Sequence, residues 1–333
     1  MKSVFLCENA DAVKNVYSED TVSLLKKTAG IDKKVYSKND ILSSPDSFGN
    51  TEYIFSTWGM PQLSAEEIKK FLPSLKCVFY AAGTVQYFAR PFLDCGVKVF
   101  SAWAANAVPV AEYTAAQIIL ANKGFFKAQQ KMSAGKVKEA KEIFSHYKGN
   151  YGAKVGIIGA GMIGKLVIKA LKARRLSVLD FDPFLPDSTA EELGVKKCGL
   201  EELFSSCSVV SNHLANNEQT KGMLTGSLFS SMPPYSVFLN TGRGAQVVES
   251  GLADVLEAHP DLTAILDVTE PEPPLPDSRF YTLENCILTP HIAGSSGNEV
   301  HRMAEYMADE FSLYISGAKT KYEVTHKMLE TMA

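Results

Sequence analysis

Three residues able to do acid, base or anion-binding chemistry each follow a short apolar run. Arg243 closes Phe238-Leu239-Asn240-Thr241-Gly242-Arg243-Gly244, and Glu272 follows Ile265-Leu266-Asp267-Val268-Thr269-Glu270-Pro271. His291 follows Ile287-Leu288-Thr289-Pro290. Reduction of a keto acid asks for a fixed cation on the carboxylate and carbonyl, an acid for the developing alkoxide, and a partner for that acid. Arg243 offers a planar fork that contacts carboxylate and carbonyl oxygen together, and His291 is of the residue type that both gives and takes a proton. Glu272 is expected to orient the imidazole and favour its charged form. Singly, each has a plainer reading: a helix-opening turn, a solvated loop acid between prolines, a loop histidine after Pro290. Their placement after successive strands decides for chemistry, because carboxyl ends of parallel strands face the ligand crevice of an open α/β sheet.

A second motif supplies the nucleotide. Val155-Gly156-Ile157-Ile158 reads as a strand, Gly159-Ala160-Gly161-Met162-Ile163-Gly164 follows at once, and Lys165 to Ala173 continues as a helix. Gly159 permits the tight turn, Gly161 lets the backbone approach a pyrophosphate, and Gly164 lets helix pack on strand. The amides at the helix start, Met162 and Ile163 among them, attract the anion. Asp182 ends the next apolar run and is placed to accept hydrogen bonds from the adenosine ribose. A carboxylate there repels a 2′-phosphate, and Pro183-Phe184 offers no arginine in compensation, so the cofactor is read as NAD rather than NADP. Asp180 is a rival acid, and we expect the strand to turn it away from the crevice. The plainer alternative, a tight turn beside a surface acid, loses because strand, helix and acid are all in register. His213, after Val209-Val210-Ser211-Asn212, either lines the cofactor crevice or is structural. His146, His259, His301 and His326 receive no role.

The elements that must carry these residues form two α/β series. At 333 residues with 46% apolar content, two domains are the better expectation. Val4 to Cys7, Tyr53 to Thr57, Cys77 to Ala81 and Val97 to Ser101 read as buried parallel strands of a first unit. From Pro109 a helix is expected to open, with Val110, Ala111, Thr114, Ala115, Ile118, Ile119 and Phe125 at helical spacing. Strands near 154 to 158, 176 to 181, 208 to 211, 235 to 240, 262 to 268 and 286 to 289 alternate with helices, implying a doubly wound parallel sheet. The helical segment from Asn298 to about Ser316 is expected to return to the first unit. The fold class is therefore α/β with two Rossmann-like domains: a first, discontinuous one of residues 1–105 and 297–333, and an NAD-binding domain of residues 106–296.

Charge narrows the partners. The chain has 34 basic and 37 acidic residues, which gives no footprint for nucleic acid or an anionic membrane. The N-terminal apolar run turns polar at Glu8-Asn9, too early for a secretory leader, so a cytoplasmic location is expected. Six scattered cysteines fit reduced core thiols, and no metal site is expected.

At these residues the chain resembles the D-isomer-specific 2-hydroxyacid dehydrogenase family, which includes phosphoglycerate, glycerate, D-lactate and formate dehydrogenases. The resemblance covers almost the whole length. It rests on Gly159 to Gly164 with Asp182-Pro183, on Asn240-Thr241-Gly242-Arg243-Gly244, on Asp267-Val268 through Glu272-Pro273, and on Thr289-Pro290-His291-Ile292-Ala293-Gly294. It implies a dehydrogenase with a flavodoxin-like substrate domain, catalytic Arg243, Glu272 and His291, and Glu270 as a bystander. It further implies that Asp267 holds the nicotinamide carboxamide and that Thr241 lies beside the nicotinamide. Val110-Ala111-Glu112 would open the interdomain helix. The backbone of Gly83 and Thr84 would take the substrate carboxylate, and a homodimer would form on the cofactor domains.

The chain also departs from the family. Trp103-Ala104-Ala105 precedes Asn106 where a Pro-Gly pair is usual, Phe88 replaces the usual aspartate after the glycine loop, and Ala215 replaces a common proline. Trp58, Met60 and Trp103 are candidates for the side-chain pocket or, equally, for core packing. Glyoxylate, hydroxypyruvate or pyruvate is the expected substrate class. Formate dehydrogenase typically pairs its histidine with glutamine, which Glu272 opposes. Phosphoglycerate dehydrogenase would call for a regulatory domain, for which we expect no room. A binding role of another class, a nucleotide-sensing protein like the C-terminal-binding corepressors, is the alternative.

Overall fold

Short apolar runs without polar alternation become strands buried on both faces, as strands covered by helices must be. The computed structural model describes residues 2–330. One unit comprises the chain up to Asn106 and the segment from Ser295 onward. Its sheet contains β1 (Ser3–Leu6), β2 (Val35–Tyr36), β3 (Tyr53–Ser56), β4 (Cys77–Tyr80), β5 (Lys98–Ser101) and, from the chain's end, β13 (Glu323–Val324). The order is β13-β5-β4-β3-β1-β2, with β13 antiparallel to β5 and the other pairs parallel. Between β1 and β3 the winding changes direction, so their carboxyl ends flank the switch point of a flavodoxin-like sheet.

Aromatic rings hold this unit together. Phe55 and Phe79 stack with centroids 5.2 Å apart, Phe79 and Phe100 stack at 4.9 Å, and Phe311 meets Phe79 edge-on at 5.5 Å. Phe311 belongs to the helix Glu299–Ile315, whose buried stripe Val300, Met303, Ala304, Met307, Ala308 and Phe311 repeats at helical spacing. That stripe brings the late segment back onto the first sheet. Glu310 on the same helix is buried, and its carboxylate accepts from the amides of Lys321 and Tyr322 at 2.9 to 3.1 Å, fixing the entry to β13.

The other unit is Ala107–Gly294. Its strands are β6 (Tyr151–Ile158), β7 (Arg175–Phe181), β8 (Lys196–Lys197), β9 (Val209–Asn212), β10 (Val237–Asn240), β11 (Thr263–Leu266) and β12 (Cys286–Leu288). They form a wholly parallel sheet in the order β12-β11-β10-β9-β6-β7-β8. The switch point lies between β6 and β9. Alternation along each strand sorts the side chains into two layers: Ile157, Val209, Leu239 and Ile265 on one face, Ile158, Val210, Phe238 and Leu266 on the other. Burying each such side chain contributes about 1.5–3 kcal/mol.

Three features differ from the sequence expectation. The helix expected to open at Pro109 runs Trp103–Asn122 with the proline inside it. Burial of Ala105, Ala107, Val110, Ala111 and Ile118 along that helix outweighs the backbone bond the proline forfeits. The units divide after Asn106 and Gly294, where the sequence places the divisions after 105 and 296. β11 stops at Leu266, so Asp267 stands just beyond the ladder with its side chain free for other work.

Candidate active site

β10, β11 and β12 are neighbours, so the chain leaves all three at the same edge of the sheet. His291 Nδ1 lies 2.6 Å from Glu272 Oε1. A carboxylate only accepts, so Nδ1 carries the proton and Nε2 is left to exchange one with a ligand. The two side chains are 47% and 39% exposed, open enough for a ligand to reach them. His291 sits in the left-handed region, φ 54°, which costs a residue other than glycine about 1–3 kcal/mol. Its amide donates to the carbonyls of Asp267 and Thr289, both at 3.0 Å, and these bonds hold the bend.

Asp267 organises that turn. It is buried, and Oδ1 accepts from Thr289 Oγ1 at 2.6 Å and from the Ile292 amide at 2.8 Å, while Oδ2 accepts from the Ala293 amide at 2.9 Å. Three of about four acceptor positions on the carboxylate are therefore taken by the segment bearing His291. The sequence pattern alone did not reveal this positioning role.

An equally hidden network positions Arg243. Asn212 Nδ2 donates to Asn240 Oδ1 at 3.0 Å and to Gln246 Oε1 at 2.5 Å, and Asn240 Nδ2 donates to the Arg243 carbonyl at 3.0 Å. The Arg243 amide donates to Gln246 Oε1 at 3.2 Å. All three amides are buried, where a satisfied network is rigid. The guanidinium donates to the Gly242 carbonyl at 2.8 Å. Burial pushes Arg243 below its usual value and the charge of Glu272 opposes that, so the arginine stays cationic with a carboxylate in electrostatic range. Thr241 is buried with its hydroxyl 3.1 Å from that of Thr114. Gly244 meets β11's loop directly: a Cβ there would lie 2.0 Å from the Thr269 carbonyl carbon. A surface cavity of about 490 Å³ lined by Asn217, Lys221, Val247, Glu249 and Glu270 is a separate feature, since none of Arg243, Glu272 and His291 lines it.

At the β6–β9 switch point the glycines fit a dinucleotide. Gly159 has φ 94°, and a Cβ would lie 2.9 Å from the His213 carbonyl. A Cβ on Gly164 would lie 2.0 Å from the Gly159 carbonyl, whereas one on Gly161 would meet nothing within 4 Å. The open space is at the helix start Met162–Leu171, where the first-turn amides have no intrahelical partner. Met162 is exposed there and Ile163 half-buried. Asp182 is held in place, Oδ2 accepting from the Ala160 amide at 2.9 Å and Oδ1 from the Phe184 amide at 2.8 Å. His213 Nε2 is 2.9 Å from Ser211 Oγ, its Nδ1 is buried without a partner, and burial pushes its pKa down to about 3. A neutral ring with an unsatisfied nitrogen beside the glycine turn suits a polar ligand there.

Asp180 corrects an expectation. Residues two apart on a strand share a face, so alternation does not turn Asp180 away from Asp182. What removes it as a rival is burial: Asp180 is 0% exposed and both carboxylate oxygens lack partners. That burial, with the Asp182 charge beside it, pushes its pKa up to about 7.

In the first unit, Ser101 Oγ donates to the carbonyls of Ala82 and Gly83 at 2.9 and 2.6 Å, fixing the loop in which Thr84 is exposed. Met60 is buried, and Trp103 packs edge-on against Tyr322 at 5.5 Å, so both serve packing, while Trp58 is 43% exposed. Among the described residues no cluster of three or more His, Cys, Asp or Glu is arranged to hold a metal, and no helix is long and apolar enough to cross a membrane.

Residues 115–293 match the family profile described as D-isomer specific 2-hydroxyacid dehydrogenase, NAD binding domain. The chain is 29% identical over 235 residues to a D-3-phosphoglycerate dehydrogenase of Archaeoglobus fulgidus, covering 71% of this chain and 44% of that protein. It thus spans less than half the length of that relative. It is also 29% identical over 253 residues to a glyoxylate reductase of Korarchaeum cryptofilum, covering 75% of this chain and 76% of the other. In three dimensions it is similar to the D-mandelate dehydrogenase of Rhodotorula graminis, with TM-score 0.81, 19% identity and 97% of each chain covered. With the glycine turn, the held aspartate and the matched profile together, the chain belongs to the D-isomer specific 2-hydroxyacid dehydrogenase family, and its NAD-binding domain lies in the second unit.

Proposed function

We propose that the protein reversibly reduces a small 2-keto acid, of the glyoxylate, hydroxypyruvate or pyruvate class, to the D-2-hydroxy acid. The observation that carries this reading is the 2.6 Å contact between His291 Nδ1 and Glu272 Oε1. NAD, when bound, supplies or accepts the hydride. Arg243 binds the substrate carboxylate and carbonyl oxygen. As negative charge gathers on that oxygen, His291 Nε2 donates its proton, while Glu272 retains the Nδ1 hydrogen bond and keeps the ring aimed. In the oxidative direction neutral His291 takes the hydroxyl proton. Asp182 receives the ribose hydroxyls, Met162, Ile163 and the glycines the pyrophosphate, and His213, Thr241 and Asp267 complete the cofactor contacts. The backbone of Gly83 and Thr84 takes the substrate carboxylate, making the first unit the substrate domain.

A cytoplasmic homodimer belongs to the same reading. Phe125, Met132, Val137 and Phe144, on the helices Phe125–Ser133 and Val137–Phe144, are each 46–52% exposed, an apolar surface that a second copy would cover. The test is oxidation of NADH by a panel of 2-keto acids, with chiral analysis of the product. Arg243→Lys should lower kcat/KM by about 10- to 100-fold, the loss of a charged, bidentate contact. Absence of NADH oxidation with every keto acid refutes the reading and favours a nucleotide-sensing binding protein.

A further inference from the structure

We infer that the substrate carries an aromatic side chain, an aryl-substituted pyruvate, received by Trp58 and Tyr87 at the carboxyl edge of the first unit's sheet. This rests on the reading of the protein as a 2-keto acid reductase, and it puts an aryl group in place of the small side chain named there. Large aromatic side chains bury when they can, yet Trp58 is 43% and Tyr87 40% exposed. They stand on the loops leaving the adjacent strands β3 and β4, beside the switch point where a flavodoxin-like sheet receives ligands.

These loops are fixed rather than loose. The Tyr87 hydroxyl lies 3.2 Å from that of Tyr80, a buried residue ending β4, and is within hydrogen-bonding reach of the Met60 backbone. The Trp58 carbonyl accepts from Cys7 Sγ at 3.2 Å, which ties the same turn to the end of β1. Gly59 makes that turn with φ 99°, and a Cβ there would press to 3.1 Å from the Cys7 sulfur. Two aromatic faces are thus presented on a braced backbone, the arrangement an incoming ring needs for offset or edge-on packing.

Charge weighs against the main competitor. From Thr57 to Leu63 and from Ala81 to Ala89 the loops contain no lysine or arginine. The charged residue at the end of β1 is Glu8, whose carboxylate accepts from the Lys38 amide at 2.9 Å. Lys38 Nζ donates to the Gln62 carbonyl of the first loop at 2.9 Å, but Glu67 already pairs it at 2.9 Å, so a phosphorylated keto acid would have to compete for that charge. A one- or two-carbon side chain would leave both rings wet.

The test compares phenylpyruvate, pyruvate, glyoxylate and phosphohydroxypyruvate under NADH. Phenylpyruvate should lead in kcat/KM, and Trp58→Ala should cost it about tenfold more than it costs pyruvate, the scale of a lost aromatic contact. A binding readout runs beside it. The chain has two tryptophans, so Trp103→Phe leaves Trp58 as the sole reporter, and phenyllactate should quench its fluorescence. Turnover that favours glyoxylate, pyruvate or the phosphorylated acid overturns the inference and leaves the reductase reading intact. Quenching without turnover of any keto acid supports the aryl site while refuting the reductase reading. Neither quenching nor turnover overturns both.

Discussion

The two sheets follow one parallel plan but finish their strands differently. In Ala107–Gly294, β10, β11 and β12 run out into Arg243, Asp267, Glu272 and His291, each held by hydrogen bonds of 2.6 to 3.2 Å. In the first unit β3 and β4 run out into Trp58, Tyr80 and Tyr87, where rings outnumber charges. The roles proposed for Arg243 and His291 require close aiming, and the second sheet braces Arg243 with buried amides and the His291 turn with the buried Asp267 carboxylate. Recognition of a ring asks for surface and shape, which two half-exposed aromatics on a braced turn supply.

Removing the proposed proton donor gives the largest expected effect. His291→Asn keeps a residue that tolerates the left-handed backbone, φ 54°, yet cannot shuttle a proton. At saturating keto acid and NADH, kcat should fall by about 10²- to 10⁴-fold with thermal stability nearly unchanged. A drop smaller than tenfold would move the chemistry off this sheet edge.

The intermediate effect concerns the cofactor. Asp182→Ala removes the carboxylate held by the Ala160 and Phe184 amides. The preference for NADH over NADPH, read as a ratio of kcat/KM values, should shrink about tenfold or more, as loss of a charged hydrogen bond implies. An unmodified protein that uses both cofactors equally would refute Asp182 as the discriminating group.

The smallest effect separates Asp182 from its buried neighbour. Asp180 has its pKa raised to about 7, so between its unfolded value and 7 the folded state binds the extra proton, and stability falls as pH rises through that window. Asp180→Asn removes the charge, so its Tm should exceed that of the unmodified protein at pH 8.5 by several degrees, at about 2–4 °C per kcal/mol, and the gap should narrow as the pH is lowered to 5. Equal differences at both pH values would show that Asp180 does not titrate there.

How legible each part was follows from where its partners lie. The positions of Arg243, Glu272, His291 and the Gly159–Gly164 turn can be read from the chain because each follows a strand whose carboxyl end faces the same edge of the sheet. The Asn212–Asn240–Gln246 network and the Asp267 clamp cannot, since their partners come from separate strands and ordinary amides and acids carry no local pattern. The two-residue strands β2, β8 and β13 are too short to show a period. Pro109 misplaces a helix start because burial along Trp103–Asn122 overrides a local rule. Asp180 required its burial, which spacing alone does not give.

Gly244 carries a consequence for how this protein can change. Its backbone is not in the left-handed region, so nothing in its own conformation demands glycine. The demand comes from across the edge, where the Thr269 carbonyl carbon and oxygen would lie 2.0 and 2.3 Å from an added Cβ. Those are main-chain atoms, and no replacement of residue 269 removes them. The position therefore resists repair by a second substitution, and the loop of the arginine and the loop of the acid are bound to vary as one piece.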